Sequence, residues 1–346
     1  MTFIYFIVIL GIIVLVHEIG HLISAKAFNV YCKEFAIGMG PVIFSKQGKE
    51  TKYSLRAFPF GGFVSMAGED GVDSDIPLNR TIKGIHPAKR ALVMLAGIIM
   101  NVILAWVILV SIFIYQGKVV IPPKPIIAGV VIDSPAELAG FQLGDEITKM
   151  DFSDGTSLYP KDFNEVVYYV QLYHNETIYT VLRNGSSLII KATPSFNASE
   201  NRYYLGLQLP DANTKDIQVW DAFYYGSDRL VGIVNDMFIM ISRLVKGIGL
   251  DSVSGPIGIY QVTAQQASYG ILSLLYLTAL LSLNVGIFNL LPLPILDGGR
   301  VFIILIETVI RRPLNKRAEQ ALMLASVILL IFLMVLATGQ DIVRLF

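Results

Sequence analysis

Residues 3–23 read FIYFIVILGIIVLVHEIGHLI. The run is long enough to cross a bilayer as helix, which takes about 20 apolar residues. Near its end it carries His17, Glu18 and His21, before Leu22 and Ile23 resume the apolar character. An ionised side chain at mid-bilayer costs roughly 2.5–3.5 kcal/mol even on the lenient insertion scale. The histidines can enter neutral and could satisfy each other, but Glu18 needs a partner, a proton or water. On a helix, His17 and His21 stand one turn apart on the same face. Both imidazoles can then reach one metal ion, with Glu18 one position round, close to a water on that ion without being a ligand. This His-Glu-x-x-His spacing is a metalloprotease signature. Zinc takes nitrogen and oxygen ligands in a tetrahedral site and keeps one position open for water when catalytic.

Working outward, three further runs are long and apolar enough to span: Ala91 to Tyr115, Ile271 to Leu296 and Ala321 to Thr338. The chain of 346 residues is 54% hydrophobic and 16% charged, well below the quarter or so of charged residues usual in a soluble domain. Its zero net charge offers no basic field for nucleic acid. The single cysteine, Cys32, excludes a disulfide within the chain and reads as a small buried residue. The first run lacks a basic segment ahead of it, and HEIGH occupies the place of a cleavage site, so it reads as a span and not as a signal peptide. Residues 26–90 carry ten Lys and Arg, and the loop after the third span carries Arg300, Arg311, Arg312, Lys316 and Arg317. Both regions are expected on the cytoplasmic side, with both termini and residues 117–270 outside.

Between the spans, residues 34–66, EFAIGMGPVIFSKQGKETKYSLRAFPFGGFVSM, hold aromatic, β-favouring runs around the turn signal Gln47-Gly48-Lys49. Gly61-Gly62 marks a second bend. Such non-helical backbone is tolerated at membrane depth only against protein or water. Residues 119–195 form a separate module with turns at Ser134-Pro135, Gly144-Asp145 and Asn184-Gly185, a helix from Asp162 to Tyr173, and strands near 178–183 and 188–192. The module, above all its SPAELAGFQLGD stretch, resembles a PDZ domain in the permuted order of bacterial proteases. That resemblance implies binding of extended chain segments at a sheet edge. Residues 217–249 read as an amphipathic helix along the outer membrane face, or as a plain connector.

A catalytic zinc wants a third protein ligand. His86 and His174 lie in loops and are poor candidates. In NVGIFNLLPLPILDGGRVF, residues 284–302, Pro292 and Pro294 break regular helix just before Asp297. Asp297 is then either the third ligand or a membrane-edge residue paired with Arg300. Together the motifs resemble the site-2 protease family of intramembrane zinc metalloproteases, in its bacterial, single-PDZ form. His17 to His21 matches the family's first motif, and Asn289-Leu-Leu-Pro292-Leu-Pro294-Ile-Leu-Asp297-Gly298 matches its second. The resemblance implies zinc on His17, His21 and Asp297, Glu18 as catalytic base, and Asn289 beside the site, holding substrate backbone. Phe60 to Met66 looks like the family's membrane re-entrant β-loop, so that Gly61, Gly62 and Phe63 would present an edge to the unwound substrate. Ser254-Gly255-Pro256-Ile257 resembles a further family segment. The second-span motif departs in having Gly97-Ile98 where the family has Gly-Pro, with Asn101 retained.

The expected fold is a mainly α-helical multi-pass membrane protein with four transmembrane helices, a membrane-associated β-hairpin region and an inserted extracytoplasmic PDZ-like domain. Its parts are residues 1–117, with spans one and two and the His-Glu-x-x-His site; 118–200, PDZ-like; 201–270, an amphipathic linker at the outer membrane face; and 271–346, with spans three and four. The family implies a bacterial cell-membrane location, the active site toward the cytoplasm, and transmembrane substrates such as anti-sigma factors or remnant signal peptides, trimmed first by another protease. Two other classes share some features. A metal or proton transporter would also place His, Glu and Asp on broken helices, but repeat-related halves are absent. A non-catalytic PDZ-type scaffold would normally have lost a ligand or Glu18.

Overall fold

The computed structural model describes residues 1–69, 75–197, 202–211, 213–245, 254–312 and 314–343. Residues 198–200 of the expected PDZ-like module and 246–249 of the expected amphipathic helix lie outside them. The chain forms two compact units, one of Met1–Tyr115 with Val219–Phe346, the other of Gln116–Gln218.

The first unit opens with helix α1, Thr2–Ala27. Apolar residues surround it on every side, the pattern of a helix buried in lipid or in a large core. It stops at Phe28, and Asn29 turns the chain out with a φ of 63°, a left-handed conformation that asparagine tolerates. Strands β1, Cys32–Gln47, and β2, Lys52–Met66, follow and pair antiparallel. The turn falls where Gln47-Gly48-Lys49 predicts it, closed by the Gln47–Lys52 pair and by Gly48 N–H donating to Thr51 O at 2.9 Å. The register then shifts repeatedly. Residues 34–37 pair both with 52–55 and with 62–65, so two long strands fold into a compact sheet. Gly61 takes a φ of 84° at the predicted second bend, and the strand runs on beyond it. Burial pushes the Cys32 thiol up to about 11, so it stays protonated and unreactive. Helix α2, Pro87–Gln116, returns along α1. The two come close because a side chain at Gly20 would meet Ala96 O at 2.5 Å.

The second unit contains β3 (Lys118–Ile121), β4 (Gly129–Val130), α3 (Pro135–Ala139), β5 (Glu146–Asp151), β6 (Ser157–Leu158), α4 (Phe163–Leu172), β7 (Thr177–Arg183), β8 (Ser186–Ala192), β9 (Ser195–Asn197), β10 (Arg202–Tyr204), β11 (Leu207–Gln208) and β12 (Asn213–Asp216). A four-stranded sheet of order β6-β5-β7-β8 carries the core of Ile147, Met150, Tyr179 and Val181, and Phe163, Val166 and Val170 of α4 join it. Asp162 caps α4 by accepting from Glu165 N–H, and Ser134 caps α3 by accepting from Glu137 N–H. The unit runs to Gln218, past the boundary at residue 200 that the sequence suggests. The reason is strand pairing: β10 returns to β9, β11 to β4 and β12 to β3, so the strands within 202–216 close the unit.

The chain re-enters the first unit as helix α5, Val219–Val245. Part of its apolar side packs on protein, while Trp220 and Phe238 stay exposed. Leu230, Ile233, Val234 and Met237 share a cluster with Ala105 and Leu109 of α2 and with Ala279 and Leu283. An amphipathic pattern alone does not separate that use from a membrane-surface helix. Then come α6 (Pro256–Tyr269), α7 (Ile271–Asn289), α8 (Asp297–Ile310) and α9 (Lys316–Val343). The expected third span ends at Asn289, short of Leu296, because Pro292 and Pro294 cannot continue the helix. Asp341 of α9, 1% exposed, accepts from Gly255 N–H at 3.1 Å and Gly258 N–H at 2.8 Å, at the start of α6. A β-carbon at either glycine would come within 2.8 Å of that carboxylate, which accounts for the Ser254-Gly255-Pro256-Ile257 segment in local terms. Helices α1, α2, α7 and α9 are long and apolar enough to cross a membrane.

In the second unit the fully buried Asp145 carboxylate pairs with Arg183, with both contacts at 2.7 Å. Burial alone would raise its pKa, but hydrogen bonds from Arg183 and from Gln142 N–H outweigh it and hold the carboxyl below the ordinary Asp value. A carboxyl depressed in the folded state contributes stability above its unfolded pKa, and that stability is lost as pH falls through the folded value. Arg183→Met is expected to destabilise this unit by about 2 kcal/mol near neutral pH. The difference from wild type should shrink as pH drops below about 4, with hydrogen exchange of β5 and β7 as the measurement.

Candidate active site

Helix α1 carries His17 and His21 on the side that faces α2, both buried. Asp297 opens α8, which the break after Asn289 lets start beside them. Its Oδ2 lies 3.0 Å from His17 Nε2 and 3.3 Å from His21 Nε2, and the two Nε2 atoms are 3.2 Å apart. Arg300, the alternative partner for Asp297, pairs with Glu69 instead. Two glycines seat α8. A β-carbon at Gly298 would meet Leu290 O at 2.2 Å, and one at Gly299 would meet Leu293 O at 2.0 Å.

One face of α2 serves both histidines through residues spaced four apart. Val93 O accepts from His21 Nδ1 at 2.9 Å. At Gly97 a β-carbon would stand 2.5 Å from His21 Nε2 and 2.8 Å from His17 Nε2, so only glycine leaves the imidazoles their place. The Asn101 side chain reaches His17 Nδ1 at 3.2 Å. Because the His21 proton is committed to Val93, its Nε2 presents a lone pair. That lone pair, His17 Nε2 and a carboxylate oxygen converge on one point. Ligands at about 2.0–2.1 Å from a tetrahedral zinc stand about 3.3 Å apart. The three separations therefore fit a zinc ion with one position left open.

The residues expected from sequence to act on metal, water or substrate line one cavity of about 540 Å³: His17, Glu18 and His21 from α1, Gly61, Gly62 and Phe63 from β2, and Asn289 and Asp297 from the broken helix. Glu18 lies against β2, where a β-carbon at Gly62 would stand 3.2 Å from Glu18 Cγ. The other two histidines are elsewhere. His86 accepts from Ala88 N–H at the start of α2, and His174 stacks on Tyr203 in the second unit. Sequence reading missed the roles of Val93 and Gly97 and of the Glu69–Arg300 pair. The i, i+4, i+8 spacing of Val93, Gly97 and Asn101, which puts them on one helix face, is the signal that could have found the first two.

The sequence pattern of Peptidase family M50 matches residues 5–333. The chain belongs to that family. It is an intramembrane zinc metalloprotease. A provisionally named zinc metalloprotease of Clostridium perfringens is 34% identical over 96% of this chain and 95% of its own length. Another, of Fusobacterium nucleatum, is 33% identical over the whole of both chains. One from Staphylococcus aureus is 30% identical over 100% of this chain and 99% of its own.

Gly97→Ala tests the seat for the imidazoles. The added methyl group is expected to displace His21 and reduce zinc in the purified protein well below one ion per chain, with helix content by circular dichroism unchanged. Full zinc occupancy in the variant would show that the ligands do not depend on this face of α2.

Proposed function

We propose that His17, His21 and Asp297 hold the zinc and that Glu18 is the general base for hydrolysis of a peptide bond within the membrane. The observation that carries this is the convergence of the three ligand atoms at 3.0–3.3 Å on a cavity that Glu18 also lines. Bound zinc supplies a water acidified toward neutral pKa and a Lewis acid for the carbonyl oxygen. Glu18 accepts the proton of the attacking water and returns it to the leaving amine nitrogen, so the cleaved bond ends as a carboxylate and an amine. Its place beside β2 keeps the base between the ligands and the strand, and glycine at position 62 leaves it that room.

A helical substrate hides its carbonyls in its own hydrogen bonds and must be unwound before attack. Gly61, Gly62 and Phe63 offer backbone at the cavity wall for edge pairing with the freed strand, and the Asn289 amide can hold the substrate backbone. The substrates are transmembrane segments of membrane proteins, of the anti-sigma factor or remnant signal-peptide kind, trimmed first by another protease. The chain sits in a bacterial cell membrane with the active site toward the cytoplasm, in keeping with the basic residues of 26–90 and 300–317. The β1–β2 region is the membrane-associated element. The 116–218 unit is a PDZ-like, extracytoplasmic filter; its four-stranded sheet sharing a core with α3 and α4 supports that reading.

Purified wild type and Glu18→Gln, compared for zinc per chain and for cleavage of a single-span substrate, test the assignment. Both should bind about one zinc, and only the wild type should cut, with a loss on the order of 10³-fold or more in the variant. Cleavage by Glu18→Gln at the wild-type rate would remove Glu18 from the mechanism.

A further inference from the structure

The reading of His17, His21 and Asp297 as zinc ligands leaves one atom beside them unexplained. Asn101 is completely buried, and its Oδ1 has no hydrogen-bond partner among the described residues. Its amino nitrogen, Nδ2, is the atom that faces His17 Nδ1, at 3.2 Å. This orientation suits a metal-free histidine, with the ring proton on Nε2 donating to Asp297 Oδ2 at 3.0 Å and Nδ1 accepting from the amide.

It does not suit a histidine that ligates through Nε2. A ligating ring nitrogen carries no proton, so the neutral imidazole holds its proton on Nδ1. Nδ1–H would then face an NH₂ group, two donors meeting beside a fully buried amide. Half a turn of the amide exchanges oxygen and nitrogen within nearly the same volume, and the two settings are told apart only by their hydrogen bonds. The turned amide places Oδ1 on Nδ1–H.

We infer that Asn101 is a positioning residue for the metal centre: in the zinc-loaded enzyme its side-chain oxygen accepts the Nδ1–H of His17 and fixes the tautomer that frees Nε2. The inference rests on the ligand set proposed above. It makes the two histidines equivalent, since Val93 O already does the same for His21. One face of α2 then supplies a backbone oxygen, a gap at Gly97 and an amide oxygen, at successive turns. An outer partner of this kind raises ligand basicity and orients the ring. An amide does so without adding a charge to a cavity that already holds Glu18 and Asp297. Asn101 is itself held in place from α7: Ser282 Oγ donates to Asn101 O at 2.8 Å.

The test compares full-length wild type, Asn101→Leu and Asn101→Asp in detergent. Zinc affinity is measured by competition with a chromogenic chelator, and Tm is measured in excess EDTA and again with zinc. Leucine fills the space without an acceptor and should weaken zinc binding on the order of 10- to 100-fold. Its Tm in EDTA should match wild type, and its zinc-induced rise should be smaller. Aspartate accepts only, and should bind zinc within about threefold of wild type or more tightly. Leucine with wild-type zinc affinity overturns the inference. So does aspartate that folds in EDTA yet loses zinc as leucine does, because His17 would then need a donor. Should the aspartate variant not fold, the Nδ1–H proton resonance of His17 in ¹⁵N-histidine-labelled, zinc-loaded protein decides. It should lie downfield in wild type and move upfield with leucine, and an unmoved resonance overturns the inference. Wild type that binds no zinc would instead overturn the ligand set itself.

Discussion

Two imidazoles and a carboxylate meet at a point where the surrounding helices otherwise place carbon against carbon. Buried polar groups there are costly unless each finds a partner. That constraint dictates the approach of α1 to α2. Gly20 brings the helices together, Gly97 opens a space the size of two ring edges, and Val93 and Asn101 supply the outer contacts. It dictates the break between α7 and α8 as well, since a continuous helix would carry Asp297 past the histidines. Pro292 and Pro294 end α7, and Gly298 and Gly299 let the new helix start against the crossing backbone.

The part of the site that was legible in sequence is the part written locally. His17, Glu18 and His21 share one turn of helix, and the two prolines stand next to Asp297. The choice between Asp297 as ligand and as partner of Arg300 was open, because spacing along a chain does not say which way a side chain turns. The structure gives Arg300 to Glu69, a contact 231 residues away in sequence. Gly97 and Asn101 were visible as residues of a motif, but their purpose was not. Each acts on a histidine about 80 positions earlier, across an interface that no periodicity within α2 reveals.

The same division runs through the fold. Turns at Gly48 and Gly185, the helix from Asp162 and the four apolar spans follow from local chemistry. The end of the second unit does not, because β10, β11 and β12 are short and polar and become strands only by pairing with distant partners. Nor does the use of α5, whose apolar stripe is compatible with lipid and with protein alike. The Asp341 cap on α6 spans 86 residues and satisfies a helix start that would otherwise expose free N–H groups inside the bundle.

The residues proposed to hold the zinc enter the world in a fixed order. Asp297 leaves the ribosome 280 residues after His17. At about 5–20 residues per second, that interval lasts roughly 15–60 seconds. During it the nascent chain holds two histidines and a glutamate but no third group to close the site. On the proposed ligand set, the zinc site is incomplete until Asp297, at the start of α8, has been made.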